Sequence, residues 1–152
     1  MSIRLSKEDA WAELAQAHTG LLTSMKADGT PITLPLWFVA LDERIYFGGP
    51  SKRKKTARLR NNPRCCFLVE SGTYWRELKG VLVTGEAREL TDSELEARVR
   101  AAMNAKYETF RSPRASMPDE TRAVYENPEH VMFELVPDDR ILSWDNSRIE
   151  LS

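Results

Sequence analysis

Seven short runs rich in β-branched and aromatic residues, each closed by turn-forming residues, commit this chain to a mainly β fold. They are Gly20–Lys26, Pro31–Leu41, Ile45–Gly48, Cys65–Glu70, Gly80–Leu90, Val131–Val136 and Arg140–Trp144. Runs of this length and composition read as strands. Asp28-Gly29 marks a hairpin between the first two, because a tight primed turn needs positive φ. Asp42, Glu43 and Arg44 form a second turn. Pro31 and Pro35 have no N–H for a ladder, so the second strand should be bulged or unpaired on one side there. Gly49-Pro50-Ser51 should break the sheet, and Gly85 should interrupt the fifth strand. Short connections make the pairing mainly antiparallel. A sheet of this size closes into a barrel to remove its edges, so six or seven strands in a barrel are expected.

Three helical insertions accompany the strands. Ser6 with Asp9 resembles an N-cap, followed by an apolar stripe of Trp11, Leu14 and Ala15 to about Ala17. Ser51 is placed to cap a short basic helix over Lys52–Arg60, which Asn61-Asn62-Pro63 stops. Thr91 with Glu94 reads as a capping box for a helix to about Phe110. Its apolar positions Leu95, Val99, Met103 and Tyr107 repeat every four residues, and Glu94–Arg98 and Glu96–Arg100 are favourable pairs. Residues 111–129 are polar and proline-containing, with a short helix near Glu120–Tyr125. Neither an internal repeat nor a low-complexity linker divides the chain, so residues 1–152 are expected to form one domain.

Composition narrows the function classes. A hydrophobic fraction of 41% with 30% charged residues belongs to soluble globular proteins. No apolar run approaches the ~20 residues of a spanning helix, and MSIRLSKEDAW is too polar for a signal peptide, so a cytoplasmic protein is expected. Cys65 and Cys66 are adjacent, hence on opposite strand faces, and read as two buried thiols. With no CxxC, and with His18 and His130 far apart, a metal site is not expected. The net charge of −1 provides no global field toward nucleic acid or lipid.

Local charge is uneven. Between Arg44 and Val69 there is no Asp or Glu, whereas Arg44, Lys52, Arg53, Lys54, Lys55, Arg58, Arg60 and Arg64 all fall there. The run Gly48-Gly49-Pro50-Ser51-Lys52-Arg53-Lys54-Lys55 joins a strand end to a helix start. Free N–H groups at a helix start favour anions, and the basic side chains add charge, so a phosphate suits this place. A solvated helix face explains the same residues. A single-stranded nucleic-acid patch is disfavoured, because the basic residues are confined to one segment of a slightly acidic chain.

The order of these pieces resembles the FMN-binding split-barrel superfamily, which holds the pyridoxamine-5′-phosphate oxidases and the flavin/deazaflavin-dependent oxidoreductases. The pieces are strand–DG–PITLPLWF–strand–YFG–SKRKKTARLRNNPR–strand–GVLVTGEAREL–helix, closing with a strand and SWD. The resemblance implies a six- to seven-stranded antiparallel split β-barrel. It also implies a homodimer with two cofactor sites at the interface, binding FMN or the deazaflavin coenzyme F-420. By the same resemblance Lys54 and Lys55 match the basic pair that holds the cofactor phosphate, with Ser51 and Thr56 adding hydroxyls. Leu34, Pro35, Leu36 and Trp37 match the strand along the flavin ring, and Gly48 and Gly49 allow close backbone approach. Trp75 and Arg76, and Trp144 and Arg148, are expected to cover the site from the partner subunit or to pack the dimer. The cluster Lys52, Arg53 and Arg58 suits the acidic tail of F-420, although a simple phosphate explains it too.

Departures from the vitamin B6 oxidases are specific. Leu34 and Val39 stand where those enzymes carry an arginine and a lysine, Gly80 stands for a glutamine, and SWDNSRIELS lacks their Arg–x–His element. These argue against pyridoxamine phosphate as substrate and for the flavin/deazaflavin branch. No triad, carboxylate dyad or HExxH is present, so no catalytic residue is assigned. The expected activity is hydride transfer between the bound cofactor and a small unsaturated organic substrate. The rival reading is a non-catalytic flavin- or haem-binding or sensing protein, with His18 or His130 as a haem ligand.

Overall fold

The computed structural model describes residues 2–126 and 129–152. Eight strands form one antiparallel sheet: β1 Gly20–Met25, β2 Pro31–Leu36, β3 Val39–Leu41, β4 Arg44–Pro50, β5 Arg64–Ser71, β6 Lys79–Glu89, β7 His130–Pro137 and β8 Leu142–Asp145. The strand order is β2-β1-β5-β6-β7-β4-β3, with β8 added to β6. Helix α1 (Lys7–Gln16) precedes β1, and α2 (Lys54–Asn61), α3 (Ser93–Tyr107) and α4 (Asp119–Glu126) lie between strands in the sequence. No helix is long and apolar enough to cross a membrane among the described residues.

Burial explains the curl of the sheet into a half-open barrel. Leu22, Phe67, Val81, Val83, Ala87, Ile45, Phe47, Phe133 and Leu135 alternate inward along their strands and share one core, closed by Ala10 and Leu14 of α1. On β4 and β7 the opposite face is buried as well: Tyr46 and Met132 pack with Val39 and Val99 in a second cluster that includes Leu95 and Met103 of α3. Each fully buried side chain of this size contributes roughly 1.5–3 kcal/mol.

Several elements differ from the sequence expectation. The single strand expected over Pro31–Leu41 is two, giving eight strands rather than seven, because the chain bends at Trp37-Phe38. There the Phe38 N–H donates to the Tyr107 hydroxyl and its carbonyl accepts from Lys106, so neither joins a ladder. β4 is not broken at Gly49 but stays paired through Pro50↔His130, which moves the start of α2 to Lys54. Ser51 therefore does not cap α2; Arg53 occupies that position without a side-chain cap. β6 runs unbroken through Gly85, pairing first with β8 and then with β7. Gly85 meets the Val136 carbonyl too closely for any Cβ. The α3 cap is Asp92, one residue beyond Thr91, accepting from the Glu94 and Leu95 amides at 3.0 and 3.2 Å. Glu96–Arg100 pairs at 2.7 Å, but Arg98 turns to Asp42 rather than Glu94.

The two hairpin turns exchange characters. Met25↔Pro31 leaves a five-residue loop at Asp28-Gly29, where only Gly29 has positive φ (86°). Leu41↔Arg44 leaves a two-residue turn at Asp42-Glu43, where φ is 51° and 57°. That is the primed geometry, which glycine, asparagine and aspartate adopt readily and glutamate only at a steric cost. Glu43→Gly is therefore expected to stabilise the fold by about 1 kcal/mol in urea unfolding. The exposed Lys7–Glu43 pair that it removes contributes little. A lower unfolding midpoint would contradict this account.

Candidate functional site

The cationic segment follows directly from the end of β4. Gly48 and Gly49 sit opposite Met132 and Val131 in the ladder, a turn covers residues 51–53, and α2 begins. The first turn of α2 has no acidic residue. Its uncapped N–H groups therefore keep their partial positive charge.

The basic residues here divide into two sets. Lys55, Arg58 and Arg60 are engaged internally. Lys55 Nζ donates to the Gly48 carbonyl at 2.9 Å, above the Phe47 ring at 5.6 Å. Burial and the neighbouring Arg58 hold its ammonium below the usual lysine pKa. A Cβ on Gly49 would sit 3.0 Å from this Nζ, so glycine there makes room for the lysine. Arg58 Nε donates to the buried Ser24 hydroxyl at 3.0 Å, and Arg60 pairs with Glu89 and reaches Ser51 Oγ at 3.2 Å. Thr56 is fully buried, and its hydroxyl donates to the Pro50 carbonyl at 3.0 Å, locking the turn. The second set, Lys52, Arg53 and Lys54, is exposed. No side-chain hydrogen bond or ion pair engages these three among the described residues.

The other sequence-predicted residues fall in three places. Leu34 and Pro35 are exposed on β2, Leu36 is half-buried, and β2 pairs only with β1. Trp37 is half-buried at the bend and stacks on Tyr107, centroids 4.4 Å apart and planes 4° apart. Trp75 and Arg76 lie exposed in a short 3-10 turn, Trp75–Glu77, beside the 3-10 turn Asn146–Arg148. The Asn146 amide donates to the Trp75 carbonyl at 2.8 Å. Trp144 lies across Gly80, whose missing Cβ leaves room for its ring. Arg148 is tied to the Arg4 carbonyl at 2.8 Å, and to Asp9 and Asp145.

Within one chain these groups do not converge. Arg64 at one end of β5 adjoins α2, and Ser71 at the other adjoins the Trp75 turn. Seven residue steps at about 3.4 Å separate them by roughly 24 Å. A cleft of about 470 Å³ lies elsewhere again, lined by Lys7, Trp11, Asp42, Arg44 and Asp139 among others.

Sequence reasoning missed the surroundings of the bend. Tyr107 is fully buried. Its hydroxyl accepts from Phe38 N at 2.9 Å and lies 2.8 Å from both the Phe38 and His18 carbonyls. Lys106 Nζ donates to the Phe38 carbonyl at 2.9 Å and sits 4.0 Å from the Phe38 ring centroid. Burial pulls its pKa down to about 8. His18 packs edge-on against Trp37, Tyr107 and Phe110. In the sequence Tyr107 reads only as the last member of an apolar stripe, and Lys106 carries no signal.

The fold is an antiparallel split barrel with a cationic strand-to-helix crossing. The chain belongs to the pyridoxamine 5′-phosphate oxidase family, whose sequence model matches residues 6–135. No curated protein matches it in sequence. Among solved structures, a conserved hypothetical protein from Mycobacterium tuberculosis is 25% identical with a TM-score of 0.78, covering 99% of this chain and 92% of the other. An FAD-binding protein from Mesorhizobium loti is 22% identical (TM-score 0.69; 91% and 93% covered). The haem storage protein HutZ from Vibrio cholerae is 17% identical (TM-score 0.69; 97% and 100% covered). The last two likenesses establish the fold.

Proposed function

We propose that this chain is a flavin- or deazaflavin-dependent oxidoreductase that works as a homodimer. The observation that carries the reading is the set of exposed cations Lys52, Arg53 and Lys54, unpartnered among the described residues, at an uncapped helix start and separated by two residues from a glycine pair. Exposed charges of this kind repel one another only weakly in water, and a phosphate placed among them would meet three cationic donors at once. Lys54 binds the cofactor phosphate, and Ser51, whose hydroxyl hydrogen is not used by Arg60, donates to it. Lys55 holds the Gly48–Gly49 backbone in place from below. Leu34 to Trp37 offer an apolar, half-exposed strand for the ring. FMN or F-420, when bound, supplies hydride transfer to or from a small unsaturated organic substrate.

The cationic segment lies by the Glu89 end of β6, through Ser51 and Arg60, whereas the Trp75 turn precedes the Lys79 end, so a second copy would be needed to bring the two together in one site. Trp75, Arg76 and Trp144 of that copy would exclude water from it. Arg148, held by Arg4 and Asp9, supports that end from behind. A groove finished by a partner is not enclosed within one subunit.

Titration with FMN and with F-420, read by absorbance and fluorescence, tests this. Binding of at least one below roughly 100 μM, about −5.5 kcal/mol, is expected. Failure of both would remove the redox reading. A second reading, non-catalytic storage or sensing of flavin or haem, draws support from the shared fold of the haem storage protein and from the lack of an acid–base pair at the cationic segment. Turnover separates the two: a bound flavin that neither donor nor acceptor reduces or reoxidises points to the binder.

A further inference from the structure

We infer that Lys106, with the aromatic residues around the β2–β3 bend, forms a binding site for an aromatic carboxylate, separate from the cationic segment. Lys106 Nζ is partly buried, yet its partners among the described residues are one carbonyl oxygen and the Phe38 and Tyr107 rings, at 2.9, 4.0 and 5.1 Å. An ammonium has three donors, and one of them meets an oxygen of the described residues, which leaves the others free to turn to a ligand. A partly buried charge is normally matched by an opposite one, and here none of the described carboxylates pairs with it. The low pKa of Lys106 expresses the same deficit. A monoanion bound there would supply the missing charge.

The ring requirement comes from the neighbours. His18, Trp37 and Phe110 pack around the buried Tyr107 ring in one aromatic cluster, with centroid separations of 4.4 to 5.9 Å. Its outer part is open: Phe110 is 60% exposed, and His18 is exposed as well. An exposed aromatic cluster beside an undercompensated cation matches a flat apolar body with one carboxylate. His18 and Tyr107 are the other titratable groups of the cluster. The Tyr107 hydroxyl is committed to backbone, so Lys106 is the group left to meet the ligand charge.

Equilibrium dialysis with 2-naphthoate, its neutral analogue 2-naphthalenemethanol, and acetate provides the test. Naphthoate is expected to bind at least tenfold more tightly than either, about 1.4 kcal/mol, since the alcohol lacks the charge and acetate lacks the ring. Lys106→Met should erase the advantage over the alcohol, Lys106→Arg should restore part of it, and Lys54→Ala should leave it intact. Should Lys106→Met fail to fold, Phe110→Ala, at an exposed position, is expected to weaken naphthoate several-fold. Equal binding of acid and alcohol to the native protein would overturn the site. So would naphthoate binding that survives Lys106→Met, or that is lost in Lys54→Ala.

Discussion

Tyr107→Phe is expected to destabilise the protein by about 2–4 kcal/mol, from one oxygen atom. The hydroxyl is fully buried and serves the N–H of Phe38 and the carbonyls of Phe38 and His18. Phenylalanine fills the same volume, so packing against Trp37 is kept and the loss is polar. The Phe38 N–H would lie buried without an acceptor, which alone costs about 1–3 kcal/mol. Urea unfolding with an unchanged m-value and a lower midpoint is the signature. A change under about 0.5 kcal/mol would mean that the bend does not depend on this brace.

Lys54→Ala is expected to weaken cofactor binding tenfold or more with little change in thermal midpoint. A charge-assisted phosphate contact contributes roughly 1.5–3 kcal/mol, and the exposed Lys54 has no internal bond to lose. Lys55→Met should behave differently. Its ammonium is folded back on the Gly48 carbonyl, so affinity is expected to change less than threefold, through the backbone it steadies. Most of the loss in the double variant Lys54→Ala/Lys55→Ala should then belong to Lys54. Isothermal titration of the three variants with FMN or F-420 measures the split. A larger effect at Lys55 than at Lys54 would reverse the assignment.

The sheet was legible in the sequence because its signals are local. Alternation along Gly20–Lys26 and Cys65–Glu70, and the turn residues between runs, depend on neighbours a few positions apart. The errors sit where distant partners decide. Phe38 leaves the ladder because Tyr107, 69 positions away, takes its N–H. Pro50 stays in β4 because His130 is its ladder partner. Ser51 is drawn from its capping position by Arg60 and by its own N–H, which donates to the Glu129 carbonyl at 2.9 Å. The site was legible as charge but not as geometry. Residue types located the cationic segment, yet only the fold separates Lys54 from the inward-turned Lys55, Arg58 and Arg60. Lys106 was invisible, since a lysine in a helix says nothing of the rings it will meet.

The place of β7 governs how this chain can emerge from a ribosome. β4 pairs only with β3 and β7, while β1, β2, β5, β6 and β8 hold together on the other side. The strand that joins the two parts is synthesised after both of its partners, β4 and β6. Until His130–Pro137 clears the exit tunnel, the nascent protein carries two unsealed half-sheets, and the inner faces of Phe47 and Val83 stay wet. Chaperone dependence should therefore peak for stalled chains ending just short of β7 and fall once it is released.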